Sequence, residues 1–110
     1  MALKNVEKGL GPRPAALTLL EGDILETLPG LDLADGSVDA LLLDIWAPLA
    51  LPTLKIMESK LRLGGMVFID NTVSSADRYS ELLTYLRSGS AFKCCTSPHS
   101  GGFELCVKVA

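Results

Sequence analysis

The sequence predicts an α/β fold in which a mainly parallel sheet ends in a C-terminal antiparallel hairpin. Two largely apolar runs, Val38–Leu43 and 66–69, are typical of parallel strands covered on both faces. Between them, 51–63 carries apolar residues at close to helical spacing, which fits a right-handed strand–helix–strand crossover. Two further strand candidates, 91–96 and 102–109, are joined by a short connection that favours a hairpin. The 110 residues are therefore expected to form one domain, 1–110.

Weaker signals predict the remaining elements. Asp23 is a preferred helix cap and precedes an apolar stretch that Pro29 ends, which predicts a short helix over 24–28. Gly64 and Gly65 are expected to end the crossover helix and to start the second apolar run. The other expected elements are a helix over 2–8, a turn over 11–14, a strand over 15–20, a turn at 35–36 and a helix over 76–87.

Composition and charge argue against several classes of protein. Hydrophobic residues make up 48% of the chain, which is too many for a disordered protein. The net charge of -3 argues against nucleic acid as a partner, and no apolar run approaches the roughly 20 residues that span a bilayer. The chain start lacks a signal-peptide core. Cys94, Cys95 and Cys106 show no zinc-type spacing, so we expect reduced, buried thiols in a cytoplasmic protein.

Polar residues at the ends of the two apolar runs mark a candidate site. Asp44 follows the first run, and Asp70 and Asn71 follow the second. Open α/β sheets bind ligands at the carboxyl ends of their strands, so neighbouring strands would bring these side chains to one rim. His99, the only histidine, is a candidate acid/base group because its ordinary pKa lies near neutrality; a solvated loop histidine is the alternative.

Five short motifs occur in a fixed order along the chain. They are Leu20-Glu21-Gly22-Asp23; Val38–Leu43 with Asp44 and Trp46; Leu61-Arg62-Leu63-Gly64-Gly65; Ile69-Asp70-Asn71; and Gly102-Phe103-Glu104-Leu105. Together they resemble the carboxyl-terminal half of a class I S-adenosylmethionine (SAM)-dependent O-methyltransferase. The nearest branch is the metal-assisted one that includes catechol O-methyltransferase. The resemblance covers nearly the whole chain and implies a truncated, Rossmann-like methyltransferase sheet.

The resemblance also implies roles for individual residues. It makes Asp44, Asp70 and Asn71 the ligands of a divalent metal, and oxygen-only ligation of this kind suits Mg²⁺ or Ca²⁺. The alternatives are a polar pocket without metal and polar strand ends that have no functional role. The resemblance further places Gly22 and Asp23 near the cofactor's adenine, Trp46 beside cofactor and substrate, and Phe103, Glu104 and Asn71 on the substrate side.

The sequence departs from the family pattern in two ways. Ala47 occupies the position where the family commonly has a catalytic lysine, and no Gly-x-Gly-x-x-Gly loop for SAM occurs. The resemblance also leaves the family's two cofactor-binding strands without a counterpart, so Val38–Leu43 would be an uncovered edge strand. We expect SAM not to bind, and either the strand over 15–20 or a second copy of the chain to cover that edge, the latter giving a homodimer.

Three functions are consistent with these features. The one we expect is a pseudo-methyltransferase of secondary metabolism that acts without SAM. In it, His99, Asp70 and Asp44 would move protons in an isomerisation, cyclisation or rearrangement of a small molecule, with Trp46 holding the substrate. The second is SAM-dependent O-methylation, for example with a partner chain. The third is a non-catalytic subunit that binds a full-length methyltransferase.

Overall fold

A four-stranded sheet organises the protein. The structure is a computed structural model that describes residues 17–70, 72, 75–98 and 101–110. In chain order its elements are α1 (Ile24–Thr27), a 3-10 turn (Leu28–Gly30), β1 (Val38–Leu43), α2 (Ala47–Met57), β2 (Leu61–Asp70), α3 (Ser80–Ser88), β3 (Phe92–Ser97) and β4 (Phe103–Lys108). The helix expected over 2–8 and the turn expected over 11–14 lie outside the described residues.

The strands are arranged in the order β1-β2-β4-β3. β1 and β2 are parallel, whereas β4 is antiparallel to both β2 and β3. The predicted α/β fold with a C-terminal antiparallel hairpin is therefore confirmed, and the parallel part of the described sheet consists of β1 and β2. The hairpin joins the sheet through its second strand, because β4 lies between β2 and β3.

The connection between α2 and β2 differs from the prediction. α2 begins at Ala47 rather than 51, because Pro48 suits the first turn of a helix, and it ends at Met57 rather than 63. β2 then begins at Leu61, which pairs with Val38, so the glycine pair lies within the strand instead of starting it. Pairing with β1 outweighs the helical spacing of the sequence over 58–63.

A bulge interrupts the pairing of β1 with β2. From the Val38–Leu61 pair to the Ala40–Met66 pair, β1 advances by two residues while β2 advances by five. Gly64, within the longer stretch, has a φ of 81°, which a glycine adopts without strain. Beyond the bulge the register is regular and ends with Leu43 opposite Ile69.

The hydrophobic core lies on the face of the sheet that α2 and α3 cover. It contains Leu43, Ala50, Leu54, Leu61, Val67, Ile69, Tyr79, Leu82, Leu83, Leu86, Phe92 and Cys106. On the opposite face, Met66 and Phe68 are half-buried and Leu42 is 62% exposed. The described helices thus cover one face of the sheet only. None of these helices is long and apolar enough to cross a membrane.

The strand expected over 15–20 is wrong for residues 17–20, which have no regular secondary structure. Leu19 and Leu20 are exposed, and β1 has β2 as its single strand partner within the described chain. A strand needs hydrogen-bonding neighbours, and residues 17–20 have none in the described sheet. The apolar edge of β1 is therefore open along the part of the chain that the structure describes.

Candidate functional site

The structure brings Asp44 and Asp70 to the same end of the sheet. Asp44 follows Leu43, and Leu43 pairs with Ile69, the residue before Asp70. Since β1 and β2 are parallel, the two aspartates occupy the carboxyl ends of adjacent strands, and both side chains are exposed. Asn71 lies outside the described residues. Two carboxylates in this position can accept protons or bind a hard cation through oxygen.

An open pocket lies beside this rim, between the start of α2 and the turn that leads into α3. Its volume is about 550 Å³, within the range of small-molecule sites. Trp46 is 73% exposed, so it does not pack in the hydrophobic core. The pocket is lined by Ile45, Trp46, Ala47, Pro48, Ser75, Arg78 and Tyr79.

Hydrogen bonds hold the two walls of the pocket together. The Tyr79 hydroxyl donates to the Ile45 carbonyl over 3.4 Å, which links the start of α3 to the end of β1. The backbone N–H groups of Arg78 and Tyr79 both donate to the Ser75 carbonyl, at 3.0 and 3.2 Å. These contacts fix the turn before α3, so the pocket has a preformed shape.

Among the described residues that line the pocket, Arg78 is the charged one. Its side chain is exposed and forms no salt bridge with any residue that the structure describes. A guanidinium can bind a carboxylate or phosphate through two parallel hydrogen bonds, and it can stack on an aromatic ring. Together, Arg78 and Trp46 suit a small molecule that carries both an aromatic or apolar body and an anionic group.

Phe103 lies beside the same rim on β4. It is the register partner of Asp70, and its ring packs against Phe68 with a centroid separation of 5.9 Å. Phe68 alternates with the buried Val67 and Ile69, so these rings lie on the face of the sheet that the helices do not cover. Phe103 therefore offers an apolar surface next to Asp70, on the opposite face from the core.

Glu104 lies inside the protein rather than in the pocket. Its side chain is fully buried, and the Arg87 guanidinium donates to both carboxylate oxygens at 2.9 Å. The Thr96 hydroxyl donates to the same carboxylate. Burial alone would raise the pKa of the Glu104 carboxyl, but the hydrogen bonds from Arg87 and Thr96 and the charge of Arg87 together lower it. The expected substrate contact of Glu104 finds no support in this placement.

Solved structures that include methyltransferases share the fold of this chain. Cofactor-bound Rv0187 from MTB superposes with a TM-score of 0.83 at 18% identity, over 97% of this chain and 55% of that protein. SAH-bound PaMTH1 from Podospora anserina gives 0.75 at 16% identity, over 97% and 55%. The SAM complex of the O-methyltransferase TomG from Streptomyces achromogenes gives 0.68 at 20% identity, over 81% and 48%.

The chain has an O-methyltransferase-like fold. It spans about half the length of these solved structures. Comparison with protein-family models and with curated proteins found no match. The fold is thus shared with proteins whose solved structures hold SAM or SAH, and the rim of Asp44 and Asp70 lies where α/β sheets bind their ligands.

The residues that the resemblance places near the adenine of SAM have a structural role in this methyltransferase-like fold. Asp23 caps α1, because its side chain accepts a hydrogen bond of 3.0 Å from the Leu25 N–H, as the sequence predicted. Gly22 precedes it with a φ of 124°, which favours glycine. Both residues are exposed.

His99 lies outside the described residues, whereas three pocket residues were not predicted as site residues. Ser75 lies just before the helix expected over 76–87, and Arg78 and Tyr79 lie within that range. α3 begins at Ser80 rather than 76, so residues 75–79 form turns, and three of these residues line the pocket. The polar residues ahead of Ser80 could have indicated a turn there. The sequence analysis instead extended the helical spacing back to residue 76.

Proposed function

We propose that this chain binds a small molecule in the pocket beside Trp46 and acts on it without SAM. The observation that carries the proposal is Trp46, a 73% exposed aromatic side chain at the edge of a preformed pocket. Covering this exposed aromatic surface with the apolar body of a ligand would be favourable. Among the residues that the structure describes, the walls of the pocket come from residues 45–48, 75, 78 and 79.

The proposed chemistry needs only binding and proton movement. Trp46 stacks on the body of the substrate, and Arg78 binds an anionic group and so fixes its orientation. Asp44 or Asp70 removes a proton from the bound molecule, and a protonated partner returns one at another atom. His99 is the proposed partner for this second step. Isomerisation, cyclisation and rearrangement all proceed in this way without a redox reagent.

A divalent metal fits the donors at the rim. Asp44 and Asp70 are exposed carboxylates on adjacent strand ends, and hard cations such as Mg²⁺ or Ca²⁺ prefer oxygen ligands. Asn71 is the third proposed ligand. When bound, such an ion would polarise a substrate oxygen. The acid/base roles of the two aspartates do not depend on the ion.

SAM-dependent O-methylation is the second candidate, and one observation favours it. Solved structures that share this fold include complexes with SAM and SAH. Against it stands Ala47, since a methyl side chain cannot act as a base where the family resemblance expects lysine. The two candidates differ in whether SAM occupies the pocket, so binding measurements separate them.

Trp46 is the only tryptophan, so its fluorescence reports on the pocket directly. We expect small aromatic carboxylates or phosphates to quench it, and SAM and SAH to leave it unchanged. Arg78→Met should weaken binding of the quenching compounds about tenfold, because one charge-assisted contact is lost. Arg62→Met is the matched control: Arg62 pairs with Asp39 at the far end of β2, so its loss should not change binding.

The outcomes of this titration distinguish the candidates. Saturable quenching by SAM would overturn the proposal in favour of methyl transfer. Equal binding by the Arg78 and Arg62 variants would show that the pocket is not the site. The Asp44→Asn/Asp70→Asn variant, assayed by chromatography with the tightest-binding compound, should retain binding and lose at least tenfold in turnover. Unchanged turnover would remove the acid/base roles.

We also propose that the chain is a homodimer in which the edges of β1 pair. β1 has one strand partner in the described sheet, and Leu42 beside that edge is 62% exposed. An open apolar edge strand pairs readily with another chain. Light scattering should give twice the chain mass, and Leu42→Lys should give the monomer mass. Val109→Lys, at an exposed position outside the sheet, should leave the dimer intact. A wild-type monomer would refute this arrangement.

A further inference from the structure

A cluster of two thiols and a carboxylate lies on the core side of the hairpin, apart from the pocket. Cys94 on β3 and Cys106 on β4 are direct register partners. The two sulfurs and a carboxylate oxygen of Glu104 all lie within 4.8 Å of one another. Cys106 is fully buried, whereas Cys94 is half-buried and therefore within reach of solvent. None of these three residues lines the pocket beside Trp46.

The backbone geometry suits a bond between these two thiols. Directly opposed residues on antiparallel strands have Cα atoms about 4.5 to 5.5 Å apart, which falls within the range that disulfides span. Rotation about the side-chain bonds is therefore sufficient to bring the sulfurs together. Cys95 cannot take the place of either residue, because it follows Cys94 in the strand and points to the other face, where it is exposed.

Metal binding is the other chemistry that such a cluster offers, and the structure favours it less. Both carboxylate oxygens of Glu104 already accept hydrogen bonds from Arg87, and the Thr96 hydroxyl donates to one of them. A metal ion would sit beside the Arg87 cation and would compete with it for the carboxylate.

We propose that Cys94 and Cys106 form a redox-sensitive pair that closes to an intrachain disulfide between β3 and β4. The co-reactant is a low-molecular-weight disulfide. Cys94 loses its proton to solvent and attacks one sulfur of the reagent; a mixed disulfide forms and one thiol leaves. Cys106 then loses its proton and attacks the Cys94 sulfur, and the second thiol leaves. The two protein thiols are oxidised and the reagent is reduced to two thiols, so atoms and electrons balance.

One contact and the difference in exposure of the two thiols determine the order of these steps. The Cys94 thiol donates to the Leu86 carbonyl at 3.7 Å, so it is held at the C-terminal half of α3. Cys94 is the more accessible of the two and reacts first with the reagent. Cys106, shielded from solvent, then resolves the mixed disulfide from within the protein. The disulfide would tie the two strands together two register pairs away from Thr96 and Glu104.

The test uses the folded full-length chain with Cys95→Ser, which removes the exposed thiol. After incubation with oxidised glutathione and acid quenching, we expect both remaining thiols to be lost and the mass to fall by two hydrogens. Adding Cys106→Ser should instead leave the mixed disulfide at Cys94, which appears as a glutathione adduct. Wild-type protein should show the Cys94–Cys106 linkage in a peptide map under non-reducing conditions.

Three results would overturn the proposal. The first is that both thiols persist in the folded Cys95→Ser protein. The second is a stable glutathione adduct that does not go on to the Cys94–Cys106 disulfide. The third is that this disulfide forms only when urea unfolds the protein. Full protection by one equivalent of Zn²⁺ would likewise overturn it, because it would show that the cluster is a metal site. A circular dichroism spectrum matching that of the wild type establishes that each variant is folded before oxidation.

Discussion

Replacing Arg87 with methionine is expected to lower the free energy of unfolding by about 3 kcal/mol. The change leaves the Glu104 carboxylate buried without its cation, and removing one partner of a buried ion pair is strongly destabilising. Removing one partner of a buried ion pair typically costs about 3 to 5 kcal/mol. We expect the lower value here because the Arg87 side chain is 45% exposed, so water can partly replace it. Urea denaturation monitored by circular dichroism measures the difference.

Two further variants distinguish the loss of the Arg87–Glu104 ion pair from the general effect of replacing an arginine. Arg78→Met removes an exposed arginine that has no salt bridge to the described residues, so its effect on stability should stay below about 0.5 kcal/mol. The double variant Arg87→Met/Glu104→Met replaces both charges and should recover much of the loss, because no unpaired charge remains buried. Equal losses in the Arg87 and Arg78 variants would contradict a structural role for the pair.

The same pair predicts a dependence on pH. The pKa of Glu104 is lowered in the folded protein, so its contribution to stability is complete above the ordinary glutamate pKa of about 4.3. That contribution is lost as the pH falls through the folded-state pKa. The difference between wild type and Arg87→Met should therefore be largest at neutral pH and should shrink in acid. A difference that is constant from neutral to acidic pH would show that Glu104 is not the cause.

Local signals in the sequence predicted the parts of the fold that local interactions decide. Asp23 caps a helix through its own side chain, and a short connection after 91–96 is enough to favour a hairpin. Asp44 and Asp70 end two apolar runs, and the parallel pairing of those runs brings them to one rim. In each case the residues that determine the structure are close in sequence or lie within one strand.

The parts of the fold that the sequence did not predict depend on pairings between residues far apart in the chain. Leu61 continues a helical pattern, but pairing with Val38 places it in β2. Glu104 alternates with apolar residues, and the position of β4 inside the sheet turns its side chain toward the core. Its partner Arg87 lies on a helix 17 residues earlier. No local pattern in the sequence identifies that contact.

Gly65→Ala is expected to lower the free energy of unfolding by about 2 kcal/mol, through overpacking of the bulge between β1 and β2. A Cβ at this position would lie 2.8 Å from the Arg62 carbonyl oxygen and 3.3 Å from that of Asp39. Both neighbours are backbone atoms, and Arg62 lies in the same strand as Gly65, so the backbone of the bulge must rearrange to accept the methyl group. The same bulge sets the register that places Asp44 beside Asp70, so the substitution should also weaken ligand binding at the rim.

Two other glycines make this prediction specific. At Gly30 a Cβ meets nothing within 4 Å, so Gly30→Ala should change stability by less than about 0.5 kcal/mol. At Gly64 the nearest atom belongs to the flexible Arg62 side chain, but the φ of 81° costs an alanine about 1 kcal/mol. Urea denaturation should therefore rank the losses as Gly65, then Gly64, then Gly30. A Gly65 variant as stable as the Gly30 variant would mean that the backbone of the bulge rearranges without cost, and that the bulge does not fix the register at the rim.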